Sequence, residues 1–146
     1  MGKYTAWKMK AAICDDTVED SEFMEKHIKE YFMKKSIPYE CNVYQSSKAL
    51  WYEIEDGQAF DLLFLDIEMP GRSGLAIRDE LEKKSAESLI IFVTGHSEAV
   101  WEAFGRNVIG FFEKPMDYER LCLLMKKFFD LYSIYETVAL DDNTSL

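Results

Sequence analysis

The chain has 146 residues, of which 48% are hydrophobic and 30% are charged, a balance typical of one globular domain rather than of a disordered chain. The formal net charge of −10 argues against direct binding to nucleic acid, because such binding depends on clustered lysines and arginines. No apolar run approaches the ~18 residues of a membrane span, and neither a signal-peptide core nor a CxxC pair is present, so we expect a cytoplasmic protein without membrane contact.

Strands and helices alternate along the chain. In chain order, the predicted pairs are strand 8–14 with helix 17–35, strand 39–44 with helix 48–55, strand 60–65 with a helix that follows Gly74 and ends near Lys84, strand 89–93 with helix 97–104, and strand 108–112 with helix 117–132. The third and fourth strands are almost continuously apolar, which is typical of strands covered on both faces. The alternation predicts an α/β fold with one five-stranded parallel sheet and right-handed crossovers.

Local signals mark the ends and the faces of these helices. Ser46 or Ser47 can cap the second helix, and Asp117 can cap the fifth. In the first helix, the helical spacing runs through Phe23, His27, Ile28, Tyr31 and Phe32, which predicts the helix.

Polar residues of distinct types stand at the carboxyl ends of four of these strands. Asp15 and Asp16 follow the first strand, Asp66 the third, Thr94 the fourth and Lys114 the fifth. In open parallel sheets, ligands bind beyond the carboxyl ends of the strands. Each residue alone is also explained as a cap, a turn or a surface group, but the complete set at one edge of one sheet predicts a functional site.

The residue types indicate phosphoryl chemistry at a metal. Three neighbouring carboxylates repel one another unless a cation neutralises them, and oxygen ligands open to water favour Mg²⁺. With the metal bound, Asp66 can attack phosphorus as a carboxylate nucleophile. Lys114 and the Thr94 hydroxyl can then neutralise or hydrogen-bond the phosphoryl oxygens.

These residues lie in four stretches that resemble the receiver domains of two-component response regulators. The stretches are the acidic pair Asp15-Asp16, LFLDIEMPGRSGL around Asp66, IIFVTG and FFEKP. The resemblance covers residues 8–132 and is strongest to receivers that carry a LytTR-type DNA-binding domain. It implies a single (βα)5 flavodoxin-like, doubly wound fold and a phosphorylation-driven signalling switch rather than an enzyme.

The resemblance also implies the metal site. Asp66 is the expected phosphoacceptor. Asp16 and Asp66 are expected to bind Mg²⁺ through their carboxylates, Asp15 through water, and Glu68 through its backbone carbonyl.

The remaining implied roles concern phosphoryl binding and switching. Thr94 is the expected switch hydroxyl and Lys114 the partner of the phosphoryl group, while Gly95 leaves the site open to phosphodonors. Phe111 stands at the position of the switch aromatic. Because Phe111 has no hydroxyl, its movement is expected to be a packing change. Pro115 is expected to follow a cis peptide bond.

Three further residues are candidate regulators or contacts. Glu68 and His96 stand where receivers tune the lifetime of the phosphate, although His96 is also explained as an exposed loop residue. Trp101 in the fourth predicted helix is a candidate contact for a phosphorylation-favoured homodimer or an output domain. The alternative reading of Trp101 is the edge of the core.

The expected organisation is an N-terminal extension at 1–7, the receiver at 8–132, and a linker or the start of an output domain at 133–146. The expected partner is a sensor histidine kinase. DNA contact is expected only through an output domain outside this segment, in transcription regulation.

Two other functions remain open from the residues. A phosphatase of the haloacid-dehalogenase type also uses a strand-end Asp, but its metal-binding acidic pair follows the nucleophile, whereas Asp15-Asp16 precedes Asp66. An interaction module with an inactive site, a pseudo-receiver, would lack residues that are all present here.

Overall fold

The structure is a computed structural model that describes residues 8–71, 73–84, 86–95 and 101–144, with the backbone alone described from residue 132 onward. Contacts divide the chain into two compact units, Met1–Met116 and Asp117–Leu146. Within the described residues, the first unit contains the sheet and three helices, and the second contains one helix.

The first unit contains one sheet of five parallel strands. The strands are β1 (Met9–Cys14), β2 (Tyr39–Tyr44), β3 (Leu62–Asp66), β4 (Leu89–Thr94) and β5 (Val108–Glu113). Their order across the sheet is β2-β1-β3-β4-β5, and every neighbouring pair is parallel. The predicted α/β fold with a five-stranded parallel sheet is confirmed.

The apolar strands lie inside the sheet, as their composition predicts. Every residue of β3 and β4 is buried, whereas the edge strand β2 is only partly buried. On one face of the sheet, Leu63, Leu65 and Phe92 join a core cluster with Leu50 and Ile77 from the helices. The intervening strand residues are buried as well, so both faces are covered, as in a doubly wound fold.

The helices are α1 (Val18–Lys34), α2 (Ser47–Glu55), α3 (Gly74–Lys83) and α4 (Tyr118–Thr144). Two of them begin at a serine whose hydroxyl accepts a backbone N–H. Ser46 accepts from Ala49 at 3.1 Å, and Ser73 accepts from Ala76 at 3.2 Å. Among the described residues, no helix combines the length and the apolar character that a membrane crossing needs.

The buried face of α1 includes Met24 rather than Phe23, where the helical spacing of the sequence begins. Phe23 is 42% exposed, whereas Met24 beside it is buried. The buried face continues through Ile28, Tyr31 and Phe32. Because neighbouring residues on a helix are about 100° apart, a face inferred from spacing alone can shift by one residue.

The last helix is longer than predicted. It runs to Thr144 rather than ending near residue 132. Residues 133–144 contain neither Pro nor Gly, so no strong breaker stops the helix there. Asp117 accepts the Glu119 N–H through Oδ1 at 3.1 Å, which supports its predicted role as the cap of this helix.

The connection between β4 and β5 also differs from the prediction. Residues 96–100 of the predicted helix lie outside the described residues, and the helix does not continue through 103–104. Residues 101–102 form one short 3₁₀ turn. The carbonyls of Glu102 and Phe104 accept hydrogen bonds from the Arg78 side chain on α3. These contacts hold the segment against α3 in a non-helical course.

Candidate functional site

The sheet register brings the predicted strand-end residues to one edge. Cys14 at the end of β1 lies opposite Leu65, so Asp15 follows β1 beside Asp66 at the end of β3. Thr94 at the end of β4 lies opposite Glu113, the residue before Lys114. The Lys114 N–H donates to the Thr94 carbonyl at 2.8 Å, which carries the pairing one residue further.

Lys114 is the cation at the centre of this edge. Its Nζ lies 2.7 Å from Oδ2 of Asp15, 3.0 Å from Oδ2 of Asp20 and 3.1 Å from Oδ2 of Asp66. An ammonium group has three N–H donors, and three carboxylates surround this one. The positive charge that the acidic cluster requires is therefore supplied in part by the protein itself.

Backbone N–H groups orient the other oxygens of the two buried carboxylates. Oδ1 of Asp15 accepts the Thr17 N–H at 2.9 Å, and Oδ1 of Asp66 accepts the Glu68 N–H at 3.1 Å. Asp15 is fully buried and Asp66 is 5% exposed. Each carboxylate is thus held between a backbone donor and Lys114.

Burial and charge raise the pKa of Asp66. Its removal from water raises the pKa from 3.8 to about 6, with a contribution from the neighbouring negative charge of Asp15, although Lys114 acts in the opposite direction. Burial disfavours the charged form of Lys114, but its hydrogen bonds to Asp15 and Asp20 outweigh that effect and raise its pKa. At neutral pH, the site therefore contains the ionised carboxylate of Asp66, whose charge burial disfavours, beside the protonated ammonium of Lys114.

Three of the carboxylates fit a divalent metal ion. One oxygen from each of Asp15, Asp16 and Asp66 lies within 4.8 Å of the others. Asp15 and Asp66 are buried, whereas Asp16 is exposed, so the cluster opens towards solvent on one side. Oxygen-only ligands with access to water suit a hard ion such as Mg²⁺.

Comparison with known proteins shows the family of this chain. Residues 17–126 match the response regulator receiver domain family. The chain belongs to this family. It is 28% identical over 112 residues to the sensory transduction protein LytT of Bacillus subtilis, a match that covers 76% of this chain and 46% of LytT.

A second relative and a solved structure agree with this family. The sensory transduction protein LytR of Streptococcus agalactiae is 25% identical over 122 residues, covering 82% of this chain and 47% of LytR. The chain therefore spans about half the length of the curated relatives it matches. The response regulator TrrA of Thermotoga maritima, solved in complex with Mg²⁺ and beryllofluoride, superposes with a TM-score of 0.66 at 25% identity, covering 82% of this chain and 98% of TrrA.

Gly74, which the sequence predicted only as a loop residue, shapes the receiver site. The Gly74 N–H donates to the Ile67 carbonyl at 3.1 Å. A Cβ on Gly74 would lie 2.3 Å from the Asp66 carbonyl oxygen and 3.1 Å from its carbonyl carbon. Only glycine lets α3 begin this close to the backbone of Asp66.

The other receiver residues at this edge have different surroundings. Thr94 is fully buried, whereas Gly95 is exposed, and a Cβ on Gly95 would meet no atom within 4 Å. The Lys114–Pro115 peptide bond is cis, the geometry that the resemblance implies. Glu68 is exposed.

Two residues predicted to respond to phosphorylation, Phe111 and Trp101, differ in burial. Phe111 on β5 is half-buried, lies opposite Phe92 and packs against the core cluster. Trp101 is 81% exposed, so the alternative interpretation, that it lies at the edge of the core, is wrong. His96 lies outside the described residues.

Asp20 is a site residue that the sequence did not predict. Asp20 lies in the first turn of α1, where an acidic residue is already explained by the helix dipole. Its contact with Lys114 joins residues 94 positions apart. The available signal was its position one helical turn after Asp16, which places it near the same strand end.

Proposed function

We propose that this receiver accepts a phosphoryl group on Asp66 from a sensor histidine kinase, with Mg²⁺ as cofactor. The setting of Asp66 carries the proposal: it is buried at the end of a central strand, with one oxygen 3.1 Å from Lys114 Nζ and the other bound by the Glu68 N–H. This arrangement orients the carboxylate beside a cation that can neutralise the charge of a phosphoryl group.

The proposed metal ligands are the carboxylates of Asp16 and Asp66 and the backbone carbonyl of Glu68, with Asp15 acting through water. When bound, Mg²⁺ supplies positive charge that offsets the charge of the phosphoryl oxygens. The close approach of the three carboxylates supports this assignment. The engagement of Asp15 by Lys114 at 2.7 Å supports a less direct role for Asp15.

The proposed transfer forms one bond and breaks one bond. A carboxylate oxygen of Asp66 bonds to phosphorus while the phosphorus–nitrogen bond of the kinase phosphohistidine breaks, and the imidazole leaves with the electron pair. Asp66, with a pKa of about 6, is predominantly unprotonated at neutral pH and can act as the nucleophile. Lys114 and the Thr94 hydroxyl are the proposed partners of the phosphoryl oxygens.

Switching is proposed to follow from the new position of Thr94. Its movement towards the phosphoryl group would leave space that Phe111 fills by turning inwards. Since Phe111 is already half-buried, only part of the ~2 kcal/mol for full burial of such a side chain is available to favour this movement. Glu68 and His96 are proposed to influence how fast water removes the phosphoryl group.

The proposed output is transcriptional control by a phosphorylation-favoured homodimer. Trp101 and Phe104, which are 81% and 66% exposed, offer apolar area for such a contact. We propose a cytoplasmic receiver at 8–132, an extension at 1–7 and a connection at 133–146 towards a LytTR-type DNA-binding domain. The resemblance to LytT and LytR supports this organisation.

Phosphorylation in vitro tests the proposal. After incubation with acetyl phosphate and Mg²⁺, the protein should gain about 80 Da, the mass of one phosphoryl group. The gain should disappear in Asp66→Asn and after metal removal by EDTA. An adduct that persists in Asp66→Asn would contradict the assignment, and rapid repeated turnover of p-nitrophenyl phosphate would indicate a phosphatase instead.

A further inference from the structure

The segment between β4 and β5 is bound to α3 by two side chains. Arg78 Nη1 donates to the carbonyl of Glu102 at 2.6 Å and to the carbonyl of Phe104. Oε1 of Glu82 accepts the Arg106 N–H at 3.0 Å. Arg78 and Glu82 are four residues apart, so they lie on the same face of α3. Together these two side chains bind two carbonyls and one N–H of residues 102–106.

A glycine shows how closely this segment approaches α3. A Cβ on Gly105 would lie 2.7 Å from Cδ of Arg78 and 2.7 Å from Oε1 of Glu82. The backbone at Gly105 therefore rests directly on the two side chains that bind its neighbours. The side chain of Arg78 is only 15% exposed, which is low for an arginine and agrees with this close contact.

The contact determines which side chains of the segment face water. Ala103 is buried, whereas Trp101 and Phe104 on either side of it are 81% and 66% exposed. Since Arg78 binds the carbonyls of residues 102 and 104, it fixes the backbone that carries this exposed pair. Asp79 orients the guanidinium in turn, because its Oδ1 accepts from Arg78 Nε at 3.0 Å.

The same helix begins at the phosphoacceptor. Gly74, its first residue, donates to the Ile67 carbonyl and approaches the Asp66 backbone too closely for any side chain. Arg78 follows one helical turn later. Helix α3 thus contacts the proposed phosphorylation site at one end and the exposed Trp101–Phe104 segment through Arg78.

We propose that Arg78 is a positioning residue that holds the Trp101–Phe104 segment in its resting arrangement and releases it when the receiver is activated. This inference rests on the proposed function. A contact made in one state only must stabilise that state, and its loss shifts the equilibrium towards the other. Removing the guanidinium should therefore make activation easier, whereas an arginine that only supports the fold would not have this effect.

Arg78→Met tests the proposal because methionine retains an unbranched apolar stem against Gly105 but cannot bind the two carbonyls. We expect this variant to bind beryllofluoride with Mg²⁺ about fivefold more tightly than the wild type, measured by titration calorimetry. Arg78→Lys, which keeps one charged donor, should give an intermediate affinity. Unchanged or weaker binding by Arg78→Met would overturn the proposal.

Lys83→Met is the matched control. Lys83 is on the same helix, its side chain is 74% exposed and its substitution removes the same charge. The affinity of the Lys83→Met variant for beryllofluoride should stay within twofold of that of the wild type, a change of about 0.4 kcal/mol in binding free energy. A gain equal to that of Arg78→Met would assign the effect to charge rather than to the two carbonyl contacts, and would also overturn the proposal.

Amide hydrogen exchange separates this proposal from the function on which it rests. In metal-free protein, Arg78→Met should speed exchange at residues 102–106 by about tenfold and leave β3 and β4 unchanged. If exchange there is unaltered, the positioning role is wrong even when phosphorylation succeeds. If the wild type fails to bind beryllofluoride while exchange responds as expected, the proposed function fails, and the release on activation fails with it.

Discussion

Lys114 Nζ lies 3.1 Å from Oδ2 of Asp66, and in the same position it contacts Asp15 and Asp20. The lysine that is expected to meet the phosphoryl group thus has a role before phosphorylation. It neutralises a cluster in which two carboxylates are buried. Buried carboxylates without a cation are strongly unfavourable, so Lys114 stabilises the unphosphorylated domain.

Replacing Lys114 by Met should therefore destabilise the metal-free protein. We expect the free energy of unfolding in urea to fall by about 2–4 kcal/mol, because the substitution leaves the carboxylate of Asp15 buried without its cation. Added Mg²⁺ should recover part of the loss. Lys83→Met, at an exposed position, should change the value by less than about 0.5 kcal/mol. Equal stability of the two variants in EDTA would contradict this role of Lys114.

Asp66→Asn should show a gain in stability that depends on pH. The pKa of Asp66 is raised from 3.8 to about 6 in the folded protein, so folding favours its protonated form. The cost of its charge is absent below pH ~4, grows as the pH rises towards 6 and is complete above it. A tenfold change in proton affinity corresponds to about 1.4 kcal/mol. Burial of the Asp66 charge therefore lowers the free energy of unfolding by about 3 kcal/mol at high pH.

The measurement is urea unfolding of wild type and Asp66→Asn in EDTA at several pH values. The variant should be more stable at pH 7.5 by up to about 3 kcal/mol, and this difference should vanish near pH 4. Asp56→Asn removes the same charge at an exposed position and serves as the control. A constant difference between pH 4 and 7.5 would show that burial of the Asp66 charge is not its cause.

The two carboxylates of the acidic pair should respond in opposite directions. Asp15→Ala removes the acceptor of the Thr17 N–H and a partner of Lys114, so it should lower metal-free stability by about 1–3 kcal/mol. Asp16→Ala relieves repulsion at an exposed position and should leave the melting temperature equal or slightly higher. Both variants should bind Mg²⁺ more weakly. A matching stability change in the two variants would be inconsistent with their different burial.

Gly74 and Gly95 allow a steric test of whether the close approach of α3 positions Asp66. Gly74→Ala places a Cβ 2.3 Å from the Asp66 carbonyl oxygen, so the backbone must move, and we expect a loss of about 1–3 kcal/mol together with slower labelling by acetyl phosphate. Gly95→Ala meets no atom within 4 Å and should remain near wild-type stability. If Gly74→Ala labels as fast as Gly95→Ala, the close approach of α3 does not position Asp66.

The strands and the edge that carries the site could be predicted from the sequence because the physical signals there are local. The apolar runs of β3 and β4 indicate burial on both faces, and Asp66 and Thr94 close those runs. The parallel order then brings the strand ends together. The buried face of α1 is harder to predict, because local spacing does not decide which of the neighbours Phe23 and Met24 is buried.

Contacts between elements distant in sequence could not be predicted in this way. Asp20 reaches Lys114 only because α1 begins at the edge where β5 ends. Arg78 reaches residues 102 and 104 across 24 and 26 positions. Gly74 is conspicuous only once the Asp66 carbonyl is placed beside it. Such contacts depend on how helices lie on the sheet, which hydrophobic periodicity does not specify.

Chemical mapping shows directly which residue of the chain is phosphorylated. The protein is labelled with acetyl phosphate and Mg²⁺, reduced with borohydride to convert an aspartyl phosphate to homoserine, digested and sequenced by tandem mass spectrometry. We expect homoserine at position 66 alone, and none after treatment with EDTA before labelling. Homoserine at position 15 or 16, or labelling of position 66 that persists without metal, would contradict it.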